Sequence, residues 1–206
     1  MLEMEAREGS VDPKLEGIET AVTWGGFNVS IGSGRRLLMT CVKGQFQVHV
    51  RECRTRGGKD CANRKGVTFT PGRLMALWEK VEKIDEKLKQ QDVNVSLNIS
   101  TGAILYKVHL GAGIFVTISD THHGVSLHRY WVPDGEEEPI PTEEGVYLTG
   151  KQWSVLKVKL EELLIANPAL AGAKVCSSTH DIMQMDYLKC RECLPFSLDT
   201  VYGERF

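Results

Sequence analysis

Apolar and polar residues alternate along two stretches of this chain, and each stretch runs into a threonine followed by residues with helical spacing. Before Thr70 the strand-like runs are Asn28 to Ile31, Arg36 to Val42, Gln45 to Arg51 and Val67 to Phe69. Before Thr149 they are Leu105 to Leu110, Ile114 to Ser119, Gly124 to Trp131 and Val146 to Leu148. Gly32-Ser33-Gly34, Lys43-Gly44 and Gly111-Ala112-Gly113 separate them with turn chemistry. Past the threonines, Leu74, Leu77, Trp78, Val81, Ile84 and Leu88 fall on one helical face, as do Trp153, Leu156, Leu160 and Leu163. Thr70 can accept from the free amides of a first turn, and Pro71 sits where a missing N–H costs nothing. Thr149 with Gln152 reads as a reciprocal capping box. Asn167-Pro168 ends the second helix, and the first is expected to end between Gln90 and Asn94.

The two stretches are copies of one unit. Gly66-Val67-Thr68-Phe69-Thr70 and Gly145-Val146-Tyr147-Leu148-Thr149 share one pattern, starting at 66 and 145. The expected fold is therefore α+β: two repeats of a four-stranded antiparallel sheet followed by one helix. One helix on one sheet leaves apolar surface open, so the repeats are expected to close on each other as an intramolecular pseudo-dimer. The boundaries drawn from the pattern are an N-terminal extension over 1–26, a first repeat over 27–91, a second over 92–166 and a tail over 167–206.

Composition adds a charge asymmetry. The chain of 206 residues is 42% hydrophobic with a net charge of −2, ordinary globular chemistry. The segment Phe27 to Gly66 nevertheless holds nine basic residues against two acidic ones, a balance of +7, whereas Gly102 to Leu148 holds two against seven, a balance of −5. Clustered cations reward contact with phosphates and the release of their counterions. No run is long and apolar enough for a membrane span, and Met1 to Ser10 lacks the basic-then-apolar layout of a secretory signal. The reading is a nuclear or cytoplasmic chain without a membrane partner, in which six cysteines serve as thiols or metal ligands rather than disulfides.

The second copy carries Leu127-His128-Arg129-Tyr130-Trp131, then Pro133-Asp134-Gly135-Glu136, Gly145-Val146-Tyr147-Leu148 and Gln152-Trp153-Ser154. The first carries Ile31-Gly32, Lys43-Gly44, Arg51-Glu52 and Arg64-Lys65-Gly66. This order resembles the single-stranded-DNA-binding domain of the transcriptional coactivator positive cofactor four, and the two-unit layout is similar to that of the Whirly proteins of plants. The resemblance implies a curved β-surface that grips single strands, lined by Arg35, Lys43, Arg51, Arg64 and Lys65. Arg36 and Arg54 lie beside that lining. The family's Tyr-Trp pair is Cys53-Arg54 in the first copy, while Tyr106, Phe115, Tyr130 and Trp131 remain in the second. Charge and guanidinium stacking would then do the binding in the first copy.

The tail adds Cys176-x3-His180 and Cys190-x2-Cys193. Four soft ligands suit a closed structural zinc site that clamps a segment with little core of its own; unliganded thiols are the competing reading. No Walker loop, nucleophile elbow or His-Glu-x-x-His motif is present, so no enzyme is expected and no cofactor is required. The leading function is binding of single-stranded nucleic acid, DNA preferred, in transcription, replication or repair. A protein-interaction module or transcription co-regulator docking a partner through the acidic second repeat is the rival. RNA binding and further homo-oligomerisation are compatible with the same residues.

Overall fold

The computed structural model describes residues 23–56, 59–97, 101–180 and 186–196. Two antiparallel sheets form, each with its strands in chain order. The first contains β1 (Thr23–Gly32), β2 (Arg35–Val42), β3 (Gln45–Arg56) and β4 (Lys59–Phe69). The second contains β5 (Ile104–Gly111), β6 (Ile114–Ser119), β7 (Val125–Trp131) and β8 (Ile140–Leu148). Three hairpins turn through pairs with positive φ: Ser33 and Gly34, Lys43 and Gly44, and Ala112 and Gly113. Such pairs match the right-handed twist of the strands they join.

The sheets share a finer irregularity. The pairing of β3 with β4 shifts between Arg51 and Cys53, and that of β7 with β8 between His128 and Tyr130. After each shift the displaced residue donates its N–H to the same turn position. Cys53 N–H reaches the Gly34 carbonyl at 2.6 Å, and Tyr130 N–H reaches the Gly113 carbonyl at 2.7 Å. A bulge bends its strand and increases local twist, so both sheets curve at matching places.

Helices α1 (Pro71–Trp78), α2 (Val81–Ser96), α3 (Gly150–Ala166) and the short α4 (Pro168–Ala171) complete the fold. Thr70 caps α1 and the Thr149–Gln152 capping box starts α3, both as the sequence indicates. Helix contacts cross between sheets: α3 lies against β1, while α1 and α2 lie against β5 and α2 against β6. Gln152 Nε2 donates to the Gly32 carbonyl at 3.0 Å. Gln91, fully buried, donates to the carbonyls of Ser119 and His122 and accepts from Gly124 N–H at 3.0 Å. One hydrophobic cluster joins Leu37, Val48, Val67 and Phe69 of the first sheet to Val116, Ile118, Leu127 and Leu148 of the second through Leu77, Trp153 and Leu156.

Several boundaries differ from the pattern reading. The single expected first helix is two, because Lys80 N–H bonds to the Leu77 carbonyl in a tighter turn before α2 restarts with Ile84 N–H on the Lys80 carbonyl. No proline or glycine marks this break, so apolar spacing ran straight through it. The boundary drawn at 91/92 falls inside α2, which continues to Ser96 and carries Gln91 to the second sheet. Strand β1 likewise begins at Thr23, ahead of the expected 27.

Because Leu77 and Leu156 are both fully buried in the shared cluster, an aspartate at either position strands a charge where both sheets meet. Leu77→Asp or Leu156→Asp is expected to cost roughly 3 kcal/mol or more. Calorimetry should show one transition lowered for the whole chain. A second transition left at the parent temperature would contradict the shared core.

Candidate nucleic-acid interface and tail cluster

Strand alternation that buries Leu37, Met39, Val48 and Val50 sends Arg36, His49, Arg51 and Thr68 to the opposite face of the first sheet, which also carries the buried Leu38 and Thr40. Arg36 stands directly across from Arg51, and Arg51 across from Gly66. A Cβ at residue 66 would lie 2.5 Å from Arg51 Cγ, so glycine is what lets this arginine lie across β4. Side-chain oxygens on neighbouring strands help to orient the guanidinium groups. Arg36 Nε donates to Asn28 Oδ1 at 2.7 Å, and Arg51 donates to Thr68 Oγ1 at 3.1 Å. Two residues along β3 from Arg51, His49 pairs with Leu38 and bridges Thr40 at 2.8 Å and Thr68 at 2.9 Å. Burial, reinforced by the Arg51 charge, lowers the His49 pKa to about 4, so the imidazole is neutral near pH 7.

Of the other basic residues with described side chains, Arg35, Lys43 and Lys65 lie away from the Arg36–Arg51 row. Arg35 and Lys65 line a cavity of about 300 Å³ with Glu52, His128, Glu143 and Tyr147, at the seam where β4 meets β8. Arg35 Nε is buried there without a hydrogen-bond partner. Lys43 is exposed at the β2–β3 tip, at the end of β2 opposite Arg35. The backbones of Arg54 and Arg64 continue the β3–β4 hairpin, with Arg54 opposite Cys61, while their side chains lie outside the described residues.

On the second sheet the cross-strand pair matching Arg36 and Arg51 is Phe115 and His128. His128 again lies over a glycine, Gly145, as Arg51 lies over Gly66. Phe115 packs on Tyr130 and on His109, both with ring centroids at 4.8 Å. Lys107 Nζ stands 4.6 Å from the Tyr130 ring centre and 5.2 Å from that of Phe115. Tyr130 is buried, whereas its neighbour Trp131 is 51% exposed beside Ile140. Tyr106 is partly buried against the core. The two faces thus present different chemistry on one framework, paired cations on the first and clustered rings on the second.

No family model, curated protein or solved structure matches this chain. The chemistry of the site therefore rests on its own geometry.

The four tail ligands come together. Cys176 Sγ is 3.5 Å from His180 Nε2 and 3.7 Å from Cys190 Sγ, and the four ligand atoms, including Cys193 Sγ, lie within 4.8 Å of one another. With Zn–S of about 2.3 Å and Zn–N of about 2.0 Å, the edges of a tetrahedron are about 3.8 and 3.5 Å. The cluster could hold a metal ion of that size. Burial raises the Cys190 thiol, but backbone N–H groups of Cys193 and Glu192 point at its sulfur and hold it at about 7. Cys193 is pushed up to about 12 by burial and the two neighbouring sulfurs. Three crowded sulfurs resist ionising together, and a divalent cation is what removes that resistance. Among the described residues, no helix is long and apolar enough to cross a membrane.

The His49 pKa lies below its ordinary 6.5, so the unfolded chain takes up the proton first as pH falls. Stability present above pH 6.5 is lost progressively toward pH 4. Burial lowers His109 and His128 in the same direction. Melting temperature should therefore fall less steeply across that window in His49→Gln than in the parent. Parallel curves would show that His49 titrates as it does in the unfolded chain.

Proposed function

We propose that this chain is a non-enzymatic single-stranded nucleic-acid-binding protein, DNA preferred, acting in transcription, replication or repair. The two sheet units act as an intramolecular pseudo-dimer of the positive cofactor four type, and the outer face of the first sheet holds the strand. The observation that carries this reading is Arg36 directly opposite Arg51 on that face. Two guanidinium groups side by side present a fork of donors that matches phosphate oxygens. A phosphate backbone laid across them would meet both, with Asn28 and Thr68 helping to orient the guanidinium groups. Guanidinium planes also stack on bases, which suits a face without aromatic residues at these two positions.

Arg35 and Lys65 at the β4–β8 seam extend the cationic path toward the second sheet. A second reading is supported by the other unit. Exposed Glu136, Glu137 and Glu138 follow exposed Trp131 and precede exposed Ile140, an acidic rim beside an apolar pair that suits a basic protein partner. The tail cluster is proposed as structural zinc, since four protein ligands leave no open position for water.

Arg36→Ala/Arg51→Ala is expected to weaken binding to single-stranded DNA at least tenfold. It should also lower the dependence of log affinity on log salt by about 0.7 for each phosphate that the protein no longer neutralises. Folding stability should change by less than about 1 kcal/mol, because surface charges contribute little to folding. Anisotropy titrations at two salt concentrations, with duplex DNA and RNA as competitors, check this. Unchanged affinity in the double variant would move the binding site off the first sheet.

A further inference from the structure

Glu192 lies between the ligands Cys190 and Cys193, and it ties the tail to both units. Its carboxylate accepts two hydrogen bonds from the Arg73 guanidinium, each 2.5 Å long, in the first turn of α1. Its carbonyl accepts Ala112 N–H at 2.8 Å, in the β5–β6 turn of the second sheet. The approach is close enough that a Cβ at Gly111 would fall 2.1 Å from Glu192 Oε1. Three residues past Cys193, the Phe196 ring lies parallel to Phe115, 7° between planes and 6.3 Å between centres. The ring also closes on Gly113, where a Cβ would meet Phe196 Cζ at 3.3 Å.

This segment has little of its own to hold it in place. Residues 186–196 form turns only, without strand or helix. Fixing such a segment costs chain entropy that surface contacts offset only in part, and metal coordination would add a large further contribution. The platform beneath Phe196 has the composition of a base-binding surface. Phe115 and Tyr130 offer ring faces, and Lys107 Nζ beside both offers a cation for a phosphate.

We infer that zinc at Cys176, His180, Cys190 and Cys193 locks the tail across the end of the second sheet. Phe196 then fills the stacking position over Phe115, and loss of the metal opens this platform to a nucleobase of a single strand. The inference rests on the zinc reading of the cluster. It explains how one framework can carry rings on its second face while only the first is open to a strand.

The test uses the full chain in three forms: zinc-loaded, chelator-stripped, and Cys190→Ser/Cys193→Ser. Elemental analysis should find about one zinc per loaded chain, as four ligands around one ion require. Removing it should speed hydrogen exchange at the Ala112 amide tenfold or more while Val116 in β6 stays protected. Affinity for a fluorescent oligothymidylate should rise about fivefold or more, the gain from stacking one base on an aromatic ring. Phe196→Ala should reproduce that gain with zinc retained, and Phe115→Leu should cancel it. A chain that takes up no zinc overturns the metal reading and this inference with it. One bound zinc, with Ala112 exchange and oligothymidylate affinity unmoved by its removal, overturns the capping alone. An absence of oligothymidylate binding in every form, Phe196→Ala included, overturns the platform.

Discussion

Each four-stranded sheet has one apolar face, and the crossing of helices between the sheets is what closes both. Asp85 on α2 marks the crossing. It accepts the indole N–H of Trp153 at 2.7 Å and a hydrogen bond from Lys157, both on α3. Trp153 is fully buried, so its single donor must find an acceptor inside the protein. Leaving such a donor unpaired costs about 1–3 kcal/mol, a sizeable share of a domain's net stability. Gln91 and Gln152 repeat the device on either side, each reaching from a helix to backbone groups of the opposite sheet.

Closure of the inner faces frees the outer ones to diverge. At matched positions one sheet holds Arg36 and Arg51 and the other Phe115 and His128, both pairs lying beside a glycine that admits the long side chain. A net charge of −2 conceals this division, since the excess of cations in the first unit is cancelled by acids in the second. For a polyanion the two units are not equivalent. The first carries an excess of cations, and the second an excess of acids that includes Glu143 and Glu144. The proposed strand path therefore runs over the first sheet and stops at the seam where Arg35 and Lys65 meet Glu52 and Glu143.

Much of the architecture was legible because it obeys short-range rules. Thr70, Pro71 and the Thr149–Gln152 pair announce helix starts, and glycine turns announce hairpins, through backbone chemistry that acts over three or four residues. The Cys176, His180, Cys190 and Cys193 set was legible for a similar reason, since ligand type and spacing constrain a metal cluster more than they constrain a surface. What escaped depends on distant partners. The break at Lys80 has no local signal, and the seam that takes Arg35 and Lys65 off the open face exists only once β4 meets β8. Nothing in the spacing of Phe196 ties it to Phe115, 81 positions earlier. The alternation of β2 and β3 does place Arg36 and Arg51 on one face, but their direct opposition is a matter of register.

The central claim is that a single strand lies on the outer face of the first sheet. Photo-crosslinking of a 4-thiothymidine-bearing single strand to the full-length, zinc-loaded protein, with adducts mapped by mass spectrometry, tests it most directly. Adducts should concentrate between residues 28 and 69, around Arg36, His49, Arg51 and Thr68, and should fade with added salt. Adducts confined to residues 104–148, or equal labelling by duplex DNA, would contradict the claim.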